Sequence, residues 1–337
     1  MAFLNIFFKT LGLLFGITIF LIVLGLFFSI LPNQKDFFEL KDGDKNSNNI
    51  IATIEINGPI LENINSSLVG SFLNVIDPIS VKEYLKKLEE VDPKVVIFKI
   101  NSPGGTVGAT DKLEKLITNF KIDKDIKIFF YSDQILASGG YWVATAGDKI
   151  FANYGSLVGS IGVSGPSWYF YDGPISISKN LLGQNIETTG GIKIYDQNAG
   201  YSKDLYNPFR KPTKKEINHL QNLIEDIYDD FLSKVSKSRK IEYATLREDI
   251  GALIFNSNQA KENFLIDEVI DFDLLLKKII KENSYKDYKI LGIKNSDSII
   301  STYFANFLNL NNFYLCKKIS ISILALSPNF LNNCYLN

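Results

Sequence analysis

Ser138 sits in the run Ala137-Ser138-Gly139-Gly140-Tyr141-Trp142, and Asn101-Ser102-Pro103-Gly104-Gly105 lies upstream of it. Acyl transfer needs a nucleophile, a base, and donors for the oxyanion that develops. Ser138 offers the hydroxyl. Gly139 presents an N–H with no side chain in the way, and Gly104-Gly105 brings a second backbone donor close, because glycine permits tight approach. A helix starting just after Ser138 adds a dipole that favours negative charge. Taken singly, Ser-Gly-Gly and Pro-Gly-Gly are ordinary turn sequences. Their joint position at the ends of two β-type runs is what points to a site.

The base is constrained by composition. The chain has one histidine, His219, on the polar side of an amphipathic helix, so the base falls to a lysine or a carboxylate. A lysine serves when burial or a neighbouring charge lowers its pKa. Composition does not choose among so many lysines. The loop Gly200-Tyr201-Ser202-Lys203-Asp204-Leu205-Tyr206-Asn207-Pro208-Phe209-Arg210 stands out, with one lysine among small and aromatic groups.

The elements that must carry these turns alternate. Residues 50–56 are a β-branched run closed by Asn57-Gly58-Pro59. Val81, Tyr84, Leu85 and Leu88 have helical spacing, 94–100 read as a buried strand, and 110–120 as a helix. Residues 126–131 are a further strand, followed by the Ser138 turn and an alanine-rich helix start at 142–146. Strand–helix alternation predicts an α/β domain with a mainly parallel sheet. Both glycine turns then fall at strand C-terminal ends, where open α/β sheets place their sites. Residues 156–203 read as irregular. Lys214 to Lys237 form an amphipathic helix with Ile217, Leu220, Leu223, Ile224, Ile227, Phe231 and Val235 on one stripe. In the apolar tail, 319–328 is too short to span a membrane and is expected as a surface or partner-packed helix.

Composition excludes several classes. A net charge of −1 gives no basic footprint for nucleic acid. Two cysteines, Cys316 and Cys334, make neither a disulfide framework nor a zinc pattern. Residues 11–31 carry no charge, long enough for a bilayer core of about 20 residues. Ser29-Ile30-Leu31-Pro32 is a poor cleavage site, so an uncleaved anchor is favoured over a signal peptide. The predicted organisation is an anchor at 1–32, a polar linker at 33–49, a catalytic domain at 50–285 and an apolar extension at 286–337.

Four motifs in order now carry a family resemblance: 100–105, 137–142, Gly159-Ser160-Ile161-Gly162-Val163, and Lys203-Asp204 with Asn207-Pro208-Phe209-Arg210. Gln259-Ala260 and Leu265-Ile266-Asp267 extend it. Over about 50–280 the chain resembles the S49 serine peptidases, of the short, single-domain signal peptide peptidase A type. The resemblance implies a Clp-protease/crotonase fold, with Ser138 as nucleophile and Lys203 as general base. It implies that Ser160 hydrogen-bonds that lysine, and that the Gly104-Gly105 turn and the Gly139 N–H form the oxyanion hole. No metal or other cofactor is implied. It further implies a single-pass membrane protein with its catalytic domain on the extracytoplasmic side. Such proteins act on hydrophobic peptides such as cleaved signal peptides, and form homo-oligomeric rings in which the lysine can reach a neighbour's serine. The stretch 164–200 departs from the family by its length, with Trp168 to Tyr171 and a Thr188-Thr189-Gly190-Gly191 turn. An acyl-CoA-processing enzyme of the same fold and a catalytically silent membrane scaffold are the rival readings; the anchor and the Ser138/Lys203 pair speak against the first.

Overall fold

A computed structural model of the protein describes residues 2–30, 37–62, 75–170, 179–180, 183–184, 197–293 and 324–326. The 188–191 turn and most of the apolar tail lie outside the described residues. The chain divides into two compact units, 1–39 and 40–337. In the first, helix α1 (Ala2–Ile30) contains the stretch Leu4–Leu24, long and apolar enough to cross a membrane.

The second unit is built on one seven-stranded sheet. In chain order come β1 (Phe38–Gly43), β2 (Ile50–Asn57), α2 (Pro78–Val91), β3 (Val95–Asn101), β4 (Gly104–Thr106), α3 (Val107–Lys124) and β5 (Lys127–Ser132). Then follow β6 (Ile135–Ala137), α4 (Gly139–Ala144), β7 (Lys149–Ala152), β8 (Leu157–Gly159), β9 (Lys179–Asn180) and β10 (Gly183–Gln184). The rest are α5 (Lys214–Arg239), α6 (Tyr243–Thr245), β11 (Ile254–Asn256), α7 (Ser257–Glu262), β12 (Glu268–Val269), α8 (Phe272–Glu282), β13 (Lys289–Ile293) and β14 (Leu324–Leu326). The sheet order is β1-β13-β2-β3-β5-β7-β12, and every pair from β13 to β12 is parallel.

The core follows the strand period. Val95, Ile97, Phe129 and Tyr131 point to one face, where Leu275 and Ile279 of α8 pack with them. The alternate residues Val96, Phe98, Ile100, Ile128 and Phe130 are fully buried too, with Phe98 stacked on Phe130 at 5.3 Å. A sheet covered on both faces needs continuous apolar strands, as 95–98 and 128–131 are.

At their C-terminal ends β5 and β7 kink and continue as β6 and β8 into a second, smaller sheet, ordered β11-β8-β6. Asn101 holds the kink. Its Nδ2 donates to Asn57 Oδ1 (3.0 Å) and Asp133 Oδ1 (2.7 Å). Its Oδ1 accepts from Ser132 Oγ (3.0 Å) and Gln134 N (3.0 Å). One side chain therefore ties the ends of β2, β3 and β5, just before the Ser102–Gly105 turn begins.

Three expectations need correction. Phe38–Gly43, expected in the linker, is a strand on the sheet edge. Lys289–Ile293, expected in the extension, pairs in parallel with β2. Residues 324–326, expected as helix, form a strand antiparallel to β4. All three are short, and a strand of three to six residues owes its existence to its pairing partner rather than its own propensity. On α5 the apolar stripe is only half used: Phe231, Leu232 and Val235 are buried, whereas Ile217 and Leu223 are exposed.

Asn101→Ala removes the hub and strands its partners. The protein should lose about 2 kcal/mol or more of stability. A urea melt checks this; a change within experimental error would show that the kink holds without Asn101.

Candidate active site

The strand end β6 delivers Ser138 into an unusual backbone conformation, φ 54° and ψ −123°. A non-glycine residue there stores about 1–3 kcal/mol of strain, which the surroundings must offset. They do so with backbone bonds. Ser138 N–H donates to Gly159 O (2.8 Å), Trp142 N–H to Ser138 O (2.9 Å), and Ala137 N–H to Ser102 O (3.0 Å). Downstream, Tyr141 Oη donates to Leu265 O (2.7 Å), and burial pushes its phenol up, keeping it neutral. Ser138 itself is 1% exposed. Its hydroxyl donates to Gly162 O at 3.5 Å, a long and weak bond that leaves it available.

The glycine turns converge on this residue. A Cβ on Gly139 would stand 2.6 Å from Thr110 Oγ1 and 3.0 Å from Gly105 N, and one on Gly140 would meet Ser102 at 2.9 Å. A Cβ on Gly105 would fall 2.0 Å from Ile60 O. The Gly105 amide nitrogen thus lies beside the α-carbon of Gly139. Gly104 is engaged elsewhere. Its N–H donates to Ser102 Oγ (3.2 Å) and its carbonyl accepts from Ile60 N (2.9 Å). Thr106 N–H also donates to Ile60 O (3.0 Å). Alternation along β4 then turns the N–H and C=O of Gly105 to the opposite edge. Of the two glycines, Gly105 is the one whose donor faces the site.

The third motif lies against the serine, since Gly159 and Gly162 supply the two carbonyls just named. Ser160 is buried with φ 52°, its N–H bound to Leu253 O (2.7 Å). Lys203 is placed differently. It is exposed, and among the described residues no hydrogen bond or ion pair joins its ammonium to Ser138 or Ser160. His219 is exposed on α5, as its position off the stripe predicts.

The loop carrying Lys203 is braced by an ion cluster. Arg210 donates to Asp204 through Nε (2.5 Å) and Nη2 (2.8 Å), and to Glu216 through Nη1 (3.0 Å) and Nη2 (2.8 Å). Two bidentate forks hold one guanidinium. Glu216 also accepts from Thr213 N (2.8 Å), forming the capping box that starts α5. The Arg210 guanidinium lies 5.1 Å from the Trp168 ring centre, and Trp168 Nε1 donates to Asn207 O (3.1 Å). The Arg210 bonds hold both carboxyls, Asp204 and Glu216, below the usual carboxylate range.

A model of peptidase family S49 matches residues 121–286. That match spans about half of the chain. The chain is similar to a signal peptide peptidase SppA of Enterococcus faecium, 27% identical over 74% of this chain and 68% of that one. A protease of Methanocaldococcus jannaschii is 33% identical over 58% of each chain. Protease 4 of Haemophilus influenzae is 26% identical over 68% of this chain but only 34% of its own length. The matched region holds Ser138, Ser160 and Lys203, whereas Gly104 and Gly105 precede it.

Two described cavities, of about 510 and 630 Å³, are lined by none of Ser138, Gly105, Ser160 or Lys203. Sequence reading missed Thr110. It is fully buried, its hydroxyl has no partner among the described residues, and it abuts Gly139. The helix was expected to begin at Thr110, so its inward side went unnoticed; α3 starts three residues earlier.

Two outcomes follow from this geometry. Thr110→Val removes an unpaired buried hydroxyl, so stability should hold or rise by up to about 1 kcal/mol; a loss in thermal melts would reveal a hidden partner. The lowered Asp204 and Glu216 carboxyls supply stability that is whole above their unfolded range, about pH 4–4.5, and is lost as pH falls through the lowered values. In a Trp142→Phe background, Trp168 emission should stay constant down to about pH 4 and shift below it. A shift already complete at about pH 6 would mean the cluster does not brace the loop.

Proposed function

We propose that this chain is a membrane-anchored serine endopeptidase that uses a Ser138–Lys203 dyad to degrade hydrophobic peptides, such as cleaved signal peptides. The observation that carries the reading is the convergence at Ser138: a strained serine, Gly139 without a side chain, and the Gly105 nitrogen beside it. Lys203 takes the Ser138 proton as the hydroxyl attacks a peptide carbonyl. The N–H groups of Gly105 and Gly139 hold the oxyanion, and losing one such donor typically costs about 2.7–4 kcal/mol of barrier. Lys203 returns the proton to the leaving amine, water attacks the acyl-enzyme, and the serine is restored. Ser160 orients the lysine.

The peptide class is supported by β4. Its edge beside Ser138 already accepts an extended backbone in the form of β14. An extended substrate presents side chains alternately, so apolar recognition falls on every second residue. The anchor is the Leu4–Leu24 stretch of α1, with the catalytic unit on the extracytoplasmic side. A lysine works as a base when desolvated, and Lys203 is exposed in the single chain. The active form is therefore a homo-oligomeric ring, in which Lys203 approaches a neighbour's Ser138. The exposed Ile217 and Leu223 of α5 fit such a contact.

Ser138→Ala and Lys203→Ala should each lower kcat for a hydrophobic peptide by at least about 10⁴-fold, and a fluorophosphonate should label wild type on Ser138. Mixing the two inactive variants should restore part of the activity, because a Lys203 from one complements a Ser138 of the other. Full activity in either single variant would sink the dyad; failure of the mixture would return the dyad to one chain.

A further inference from the structure

The edge of β4 that faces Ser138 is occupied in the structure by a segment of the chain itself. Leu324 pairs with Thr106, Ala325 with Gly105 and Leu326 with Gly104, antiparallel. The pairing edge is settled by the opposite side of β4. There Gly104 O and Thr106 N are bound to Ile60 at 2.9 and 3.0 Å, which turns Gly105 N–H and C=O toward β14. In an antiparallel pair, residues directly opposite whose groups face each other exchange both backbone bonds. Ala325 is therefore set against the one amide that lies beside Gly139 and is the donor assigned to the oxyanion.

We propose that the Leu324–Leu326 segment is a built-in occupant of the peptide-binding edge, competing in cis with extended hydrophobic peptides. This rests on the reading of Ser138 as nucleophile. Three features carry it. The occupied edge is that of the oxyanion strand, not an outer edge of the main sheet. The pairing uses backbone groups, so it has the same chemistry as any extended peptide added to a strand. Residues 294–323 separate β13 from β14 in the sequence, and a chain of that length reaches at most about 100 Å, so the segment is tethered to the edge it fills. A tethered ligand is present at an effective concentration of order millimolar. A free peptide must outcompete it, which raises the apparent KM and leaves kcat alone once the edge is cleared.

Ala325→Pro in the full chain tests the proposal. Proline removes the N–H set against Gly105 O and disfavours continued pairing. The variant should show KM for a hydrophobic peptide lowered by about tenfold, kcat unchanged, and faster hydrogen exchange in a peptide spanning Gly104–Thr106. Ala325→Ser keeps the N–H and should match wild type in all three. An unchanged KM overturns the proposal, whether or not exchange accelerates, because the segment would then lie outside the substrate's path. If no variant turns over peptide and Ser138 resists labelling, the peptidase reading fails. Accelerated exchange in Ala325→Pro would still support occupancy of the edge, and unaltered exchange would overturn it.

Discussion

Three stretches of backbone must pass within van der Waals distance of one another at Ser138, and this closeness governs the rest of the design. Gly105 is pressed against Ile60, Gly139 against Gly105 and Thr110, and Gly140 against Ser102. A methyl group at any of these positions would force the backbone apart. Such crowding costs conformational freedom that glycine gives up on ordering, and it adds the strain of Ser138 itself. The structure offsets both with the hydrogen bonds from Ala137, Ser138 and Trp142 and with a core buried on both faces of the sheet. The two-layer kink at Asn101 is what brings β4 and β6 to the same place.

The two halves of the proposed dyad are held by different physics. Ser138 is fixed by backbone hydrogen bonds and close packing, which respond little to salt or pH. Lys203 rides on a loop fixed by the Asp204–Arg210–Glu216 cluster, whose hold depends on ionised carboxyls. The serine side is therefore the permanent half of the site, and the lysine side is the half that conditions can alter. A Ser–Lys peptidase can work with this division, because the nucleophile demands sub-ångström placement while a base needs only hydrogen-bond reach.

What the sequence disclosed tracks how local each feature is. The strands at 50–56, 94–100 and 126–131 and the helices around them were legible because their patterns are long and apolar. The Ser138 turn was legible because it is followed by two glycines at the end of a β-type run and is matched by a second glycine turn. The Lys203 loop was singled out by composition but given its role only through family resemblance, since one exposed lysine looks like any other. The Asn101 hub was unreadable: its partners lie far apart in the chain, and no spacing rule reports that. Thr110 was hidden by a misplaced helix start. The strands at 38–43, 289–293 and 324–326 were missed because each exists through its neighbour.

The unused half of α5 bears on where the base comes from. The helix begins in the Thr213–Glu216 capping box, and Glu216 is also a partner of Arg210. One residue thus links the start of α5 to the Lys203 loop. The exposed Ile217 follows directly after it, and Leu223 lies on the same stripe. A second subunit that covered this stripe would gain apolar burial worth about 1.5–3 kcal/mol for each large side chain. The same contact would exclude water from the neighbourhood of the Lys203 loop. Assembly and desolvation of the base would then be a single event, with the hydrophobic gain offsetting the cost of taking an ammonium out of water. In such an arrangement an isolated chain keeps its serine in position but its lysine hydrated, which confines hydrolysis to the assembled form.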